Sequence, residues 1–150
     1  RLILGIMLAG WMIIIFWFSN QPATESSEIS GTISYRLVED TDEIFNWGLT
    51  TDQIGNIAGN IEYPIRKAAH MTEYAILAFL LYKTFIHKQN PLIKSFIFTA
   101  LYACSDEFHQ LFISGRAGQI RDVCIDSTGA LIMLLIVYFI LKRKDKKIGS

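Results

Sequence analysis

The chain has 150 residues, of which 51% are hydrophobic, and its 14 Lys and Arg residues equal its 14 Asp and Glu residues in number. This length corresponds to one domain, and the hydrophobic content is high for a soluble protein. The zero net charge lacks the basic excess of nucleic-acid-binding proteins, so nucleic acid is excluded as the expected partner.

The first element is the uncharged apolar run at residues 2–18. A transmembrane helix needs about 17–25 such residues, so the run predicts a first membrane span. A cleaved signal peptide is the alternative, but the apolar part of such peptides is usually about 7–15 residues long. Pro22 ends the helix soon after, because proline cannot continue it.

Residues 19–65 form a polar stretch in which acids predominate from residue 25 to residue 62. Weak helical patterning at residues 35–47 predicts one or two short interfacial helices within an outer loop. Trp47 and Tyr63 are typical of the aromatic belt at a membrane surface. A disordered loop is the alternative, although the aromatic content favours the interfacial helices.

Three further apolar runs predict spans at residues 66–86, 92–113 and 123–141, followed by a basic tail at residues 142–150. The predicted fold is therefore all-α, a single-domain integral membrane four-helix bundle with an acidic extracytoplasmic loop. Cys104 and Cys124 fall in apolar stretches and are interpreted as small buried hydrophobic residues. A disulfide between them requires their helices to touch with suitable geometry.

The distribution of basic residues predicts the orientation, because Lys and Arg favour the cytoplasmic side of a membrane. With the N-terminus inside, nine of the 14 bases lie inside and five outside. The inner set is Arg1, Lys83, Lys88, Lys94, Lys142, Arg143, Lys144, Lys146 and Lys147. The protein is therefore expected in the cytoplasmic membrane, with both termini cytoplasmic.

Under this topology, three span ends carry polar residues at the same outer level. At about 100° per residue, three helical stripes result: Arg66, His70 and Glu73; Tyr102, Asp106 and His109; Asp122, Asp126 and Gly129. Polar stripes must face each other or a wet cavity, since lipid offers them no hydrogen bonds. Glu107 and Gln110 lie off the main stripe and are interpreted as supports for Arg116 or a neighbouring helix.

These residue types are compatible with three chemistries. Acid–base catalysis by a membrane-embedded hydrolase or transferase would use the imidazoles and carboxylates: His70, Glu73, Asp106, His109 and Asp126. Binding of an anionic headgroup would use the remaining polar residues: Arg66, Lys67, Gln110, Arg116, Arg121 and Asp122. The third chemistry uses a divalent metal as cofactor, since facing helices can supply carboxylate and imidazole ligands: His70, Glu73, Asp106 and His109.

A salt-bridge network that only fixes helix packing is the structural alternative. Its pairs would be Arg66–Glu73, Arg116–Glu107 and Arg121–Asp126. A binding site without catalysis is the second alternative. Two histidines with several carboxylates and arginines at one depth favour a functional site, because such groups are costly in a membrane.

The chain resembles the VanZ-like family of bacterial membrane proteins over nearly its whole length. The matching residues are Arg66–His70, Glu73, Tyr74 and Tyr102–Gln110, completed by Arg116, Asp122, Asp126 and Gly129. The resemblance implies a small multi-span protein of the bacterial cytoplasmic membrane. The family's founding member is associated with low-level resistance to teicoplanin, a lipoglycopeptide antibiotic.

The leading functional hypothesis is an outward-facing polar site that binds an anionic cell-envelope lipid or a lipid-linked cell-wall precursor, and its extension is that the site also modifies this ligand. Arg66 and Arg116 would hold its headgroup. The alternative is a non-catalytic membrane protein that alters antibiotic access or partners with cell-wall enzymes.

Overall fold

A computed structural model describes residues 1–148, with the side chains of residues 1–144. This part of the chain is all-helical and contains no strand. Its five helices are α1 (Leu2–Ser19), α2 (Ala23–Phe45), α3 (Thr51–Phe85), α4 (Pro91–Gln110) and α5 (Ile120–Ile148). Residues 149 and 150 of the predicted basic tail lie outside the described part.

Within the described residues, two helices are long and apolar enough to cross a membrane: Leu2–Ser19 and Ile120–Lys144. In the most apolar 18-residue stretch of each helix, only 11% is buried for α1 and 28% for α5. The core helix of a soluble protein would bury most of such an apolar stretch. The exposure of the apolar side chains of α1 and α5 therefore indicates contact with lipid.

The expected outer loop differs from the structure, because residues 23–45 form one 23-residue helix. Asn46 ends α2 in the left-handed conformation with φ 51°, which asparagine tolerates better than most residues. The side chain of Thr50 then caps α3 in a reciprocal pair with Gln53. Helices α2 and α3 pack through the buried side chains of Val38, Ile54 and Ala58.

Helix α3 is longer than its predicted span, since it begins at Thr51, contains Pro64 and has 35 residues in all. At about 1.5 Å per residue it extends roughly 52 Å, well beyond a hydrocarbon core about 30 Å thick. Its second half carries Tyr74, Leu77 and Leu81, which form the core with Ile15 of α1 and Ala103 of α4.

Helix α4 has its polar face inward and its apolar face outward. The buried side chains on α4 are Ser95, Thr99, Ala103, Asp106, Glu107 and Gln110. The exposed ones include Ile93, Ile97, Leu101 and Phe108. This distribution is the reverse of that in a soluble helix and is typical of a helix surrounded by lipid.

Both cysteines are free and exposed, so the interpretation of Cys104 and Cys124 as buried residues is wrong. Both point away from the packed interior.

Helices α3 and α5 approach each other closely at Gly129. A Cβ on Gly129 would overlap the backbone carbonyl of Met71. Glycine is therefore required at this crossing, as at other close contacts between membrane helices.

Candidate functional site

A polar pocket of about 170 Å³ lies between α3, α5 and the loop that joins α4 to α5. We call it the polar pocket. It is lined by Ala23, Ser26, Tyr63, Arg66, Lys67, His70, Glu107, Gln110, Arg116, Ala117, Gln119, Asp122 and Asp126. Seven of the predicted site residues thus border one cavity, although they come from three separate regions of the sequence.

An apolar groove of about 220 Å³ adjoins the polar pocket on the side of α2. We call it the apolar groove. Its lining is Phe18, Gln21, Ser26, Ile29, Ser30, Ile33, Ile65, Arg66, Ala69, His70, Glu73 and Arg116. Four residues belong to both cavities: Ser26, Arg66, His70 and Arg116. The two cavities therefore share a wall of polar side chains.

The bases on α3 are engaged by neighbouring acids. Lys67 Nζ lies 2.6 Å from Asp122 Oδ2 on α5, which joins the two helices in the lining of the pocket. Arg66 lies 3.5 Å from Glu62 Oε1 and donates a hydrogen bond of 2.9 Å to Ser27 Oγ on α2. Both side chains are partly exposed, so their remaining donors can reach a ligand.

Arg116 holds the loop between α4 and α5 against the end of α1. Its Nε donates to the carbonyl of Gln21 at 2.8 Å, and its Nη2 donates to that of Phe18 at 3.4 Å. Carbonyls at a helix end lack partners within the helix, and the guanidinium satisfies them. Burial lowers the pKa of Arg116, because the charged form loses hydration. This residue acts mainly as a structural clamp.

Asp106 is buried beside the pocket rather than in it. Its Oδ2 accepts hydrogen bonds from Tyr74 Oη at 3.1 Å and from Gln110 Nε2 at 3.2 Å. Gln110 also donates to Ser19 Oγ at 2.9 Å and accepts from Arg116 at 3.4 Å. Asp106 therefore connects α3 to the clamp on α1.

His70 is the imidazole that borders both cavities. Its Nδ1 lies 3.5 Å from Glu73 Oε2, one turn further along α3. Glu73 Oε2 is buried and accepts no hydrogen bond of good geometry from a described residue. The carboxylate of Glu73 therefore lies close to the ring of His70, without a well-formed hydrogen bond between the two groups.

His109 lies apart from the polar pocket and the apolar groove. Its ring packs against Phe16 of α1 in a tilted arrangement, with ring centroids 4.7 Å apart, and its Nδ1 is buried without a partner among the described residues. The four predicted metal ligands are thus not brought together. In residues 1–144, no group of three or more His, Cys, Asp or Glu side chains is placed to share a metal ion.

Asp126 and Glu107 complete the acidic wall of the polar pocket. Asp126 is only 3% exposed, and no described side chain or backbone group forms a hydrogen bond or ion pair with it. Glu107 Oε2 accepts a hydrogen bond of 2.8 Å from the backbone N–H of Gln119. Gly118 permits this, because a Cβ there would press on the carbonyl of Glu107.

The remaining predicted residue, Arg121, is exposed and lies 5.9 Å from the ring of Tyr63, outside the pocket lining. The three salt bridges of the packing alternative do not form among the described residues.

Sequence reasoning did not single out Tyr63 or Gln119 as pocket residues, and it treated Glu107 only as a support. The helical spacing of Glu107 from Ala103 and Thr99, both buried, could have identified it.

Comparison with known proteins gives one family. A family model described as VanZ/LLP1 matches residues 4–142 of the 150. No curated protein and no solved structure matches the chain. The match covers the pocket, the groove and all five helices up to residue 142, and it agrees with the resemblance seen in the sequence. The chain belongs to the VanZ-like family.

Proposed function

We propose that this VanZ-like protein binds a phosphate-bearing amphiphile of the cell envelope, a lipid or a lipid-linked wall precursor. The observation that carries the proposal is the shared wall between the polar pocket and the apolar groove. An amphiphile needs two adjoining environments, one that hydrogen-bonds its headgroup and one that accepts its chains. Arg66 borders both, and its planar donors suit a phosphate.

The membrane placement belongs to the same proposal. We assign four spans to α1, the second half of α3, α4 and α5, with both termini cytoplasmic. The polar stripes of α3 and α4 explain why these helices fall short of a purely apolar span, since their polar sides face inward. On α2, Ile29, Ile33 and Leu37 are exposed along one side. This stripe suits a helix lying in the outer interface.

His70 is the residue we assign to any chemical step on the bound amphiphile. It stands where the headgroup would meet the chains, and Glu73 would orient its ring. Hydrolysis or transfer by a membrane-embedded enzyme needs such a base beside the scissile bond. The non-catalytic alternative, altered antibiotic access or association with wall enzymes, would require the pocket but not this pair.

Lipid co-purification tests the binding. Protein extracted gently from the membrane should carry a phosphate-bearing amphiphile, and Arg66→Gln should retain about tenfold less, because a charge-assisted hydrogen bond contributes about 1.5–3 kcal/mol. Arg36→Gln is the matched control, since Arg36 is 73% exposed on α2 and borders neither cavity. An unchanged lipid profile in Arg66→Gln would show the headgroup assignment to be wrong.

The chemical step has a separate test. Extracts from cells expressing the protein or its His70→Gln variant are compared for products of the bound amphiphile. His70→Gln should keep the lipid while abolishing product formation. If cells that express His70→Gln or Glu73→Gln showed the same antibiotic susceptibility as cells that express the wild type, the non-catalytic alternative would be favoured.

A further inference from the structure

We infer that the headgroup in the polar pocket carries a primary ammonium group as well as a phosphate, and that Asp126 receives the ammonium. This inference rests on the proposed function, since it names the class of amphiphile bound at the same site. It narrows the ligand from an anionic lipid to a zwitterionic one.

The first argument is the charge of the lining. Three cationic side chains and three carboxylates border the polar pocket: Arg66, Lys67, Arg116, Glu107, Asp122 and Asp126. A headgroup with negative charge alone would gain from the cations and lose as much against the acids. A headgroup that carries both a negative and a positive charge can place its phosphate against the cationic side chains and its cation against the carboxylates.

The second argument is the unequal pairing of the acids. Asp122 has Lys67 at 2.6 Å, and Glu107 has the N–H of Gln119 at 2.8 Å. Asp126 is 3% exposed and lines the pocket, yet no described group pairs with it. A buried carboxylate without a donor is costly, so a ligand that supplies donors there gains affinity.

The groups around Asp126 define what that ligand must offer. His70 lines the same pocket, but its Nδ1 is directed to Glu73 at 3.5 Å. One turn away on α5, Asp122 Oδ1 is a buried oxygen without a partner among the described residues. An ammonium group has three N–H donors and no acceptor, so it can bond to the oxygens of Asp126 and Asp122 that no described group engages.

A divalent cation is the competing occupant, and the geometry favours the ammonium. No group of three or more His, Cys, Asp or Glu side chains in the described residues is placed to hold one metal ion. Ca²⁺ takes six to eight oxygen ligands and Mg²⁺ takes six, with waters filling the positions that the protein leaves open. One ammonium needs only two or three acceptors.

The test is a titration of the delipidated full chain in detergent, followed by native mass spectrometry. Its probes are phosphatidylethanolamine and phosphatidylglycerol with identical short acyl chains. We expect the wild type to bind the ethanolamine lipid at least tenfold more tightly. Asp126→Asn should lower that affinity about tenfold to hundredfold, the range for losing a charge-assisted hydrogen bond. It should leave the glycerol lipid unaffected or bound more tightly.

Asp40→Asn is the matched control, because it makes the same change at an exposed position of α2. The wild-type ratio decides the question even if Asp126→Asn fails to fold. Equal binding of both lipids, each weakened by Arg66→Gln, would overturn the ammonium subsite and leave the proposed function standing. Binding of neither lipid would overturn both. Magnesium binding by the wild type that Asp126→Asn abolishes would replace the ammonium with a metal ion.

Discussion

Substitution of Gly129 by alanine tests the closest contact in the fold. The new Cβ would overlap the carbonyl oxygen of Met71, so α3 and α5 must separate by about 1 Å, and overpacking of this kind costs about 1–3 kcal/mol. We take the upper value, about 3 kcal/mol, because the obstacle is backbone rather than a side chain that can rotate. Replacing a glycine inside a helix by alanine returns about 1 kcal/mol.

The expected net change is a decrease of about 2 kcal/mol in the free energy of unfolding, which lowers the Tm by about 4–8 °C for a chain of this size. Circular dichroism of the detergent-solubilised protein during heating measures it. Gly59→Ala in α3 is the control, since nothing lies within 4 Å of its new Cβ. That variant should gain about 0.5–1 kcal/mol. If Gly129→Ala were as stable as Gly59→Ala, the close approach of α3 and α5 would be wrong.

Further predictions concern the polar interior and the topology. Tyr74→Phe removes a donor to buried Asp106 and should cost about 1–3 kcal/mol, measurable by the same thermal unfolding, whereas Tyr35→Phe on α2 should cost little. Arg116→Lys replaces the forked guanidinium by a single ammonium group, which cannot bond to the carbonyls of both Gln21 and Phe18. Amide hydrogen exchange should therefore become faster in residues 17–23, and unchanged protection would contradict the clamp. In a variant without Cys104 and Cys124, a membrane-impermeant thiol reagent should label Asp40→Cys in intact cells and His87→Cys only after lysis. The reverse pattern would invert the proposed topology.

The stripes of α3 were largely predictable, because Arg66 and His70 share one helical face and an apolar span cannot leave such residues in lipid. The register of α4 was predicted less well. Its buried face contains Asp106 and Gln110, whereas His109 packs beside Phe16. The small residues Ser95, Thr99 and Ala103 continue, at the helical period, to the former pair and not to His109. The charged residues alone were insufficient to set the face.

Helix α2 was underestimated for a different reason. Its sequence is rich in serine and acid and has little intrinsic helix preference or hydropathy. Its helical form depends on packing against the first turns of α3 through Val38, Ile54 and Ala58, a long-range effect that local patterning does not report. The apolar groove could not be predicted either, because its walls come from α2 and α3 together.

The clamp on α1 has a consequence for how the protein assembles. Helix α1 is synthesised first, but the side chains that bond to its backbone and to Ser19 are those of Tyr102, Gln110 and Arg116, which follow 90, 91 and 98 residues later. At about 5–20 residues per second, α1 waits roughly 5–20 s for these partners. The pocket is therefore among the last features to form, and until then the end of α1 depends on lipid headgroups, water or the insertion machinery for its hydrogen bonds.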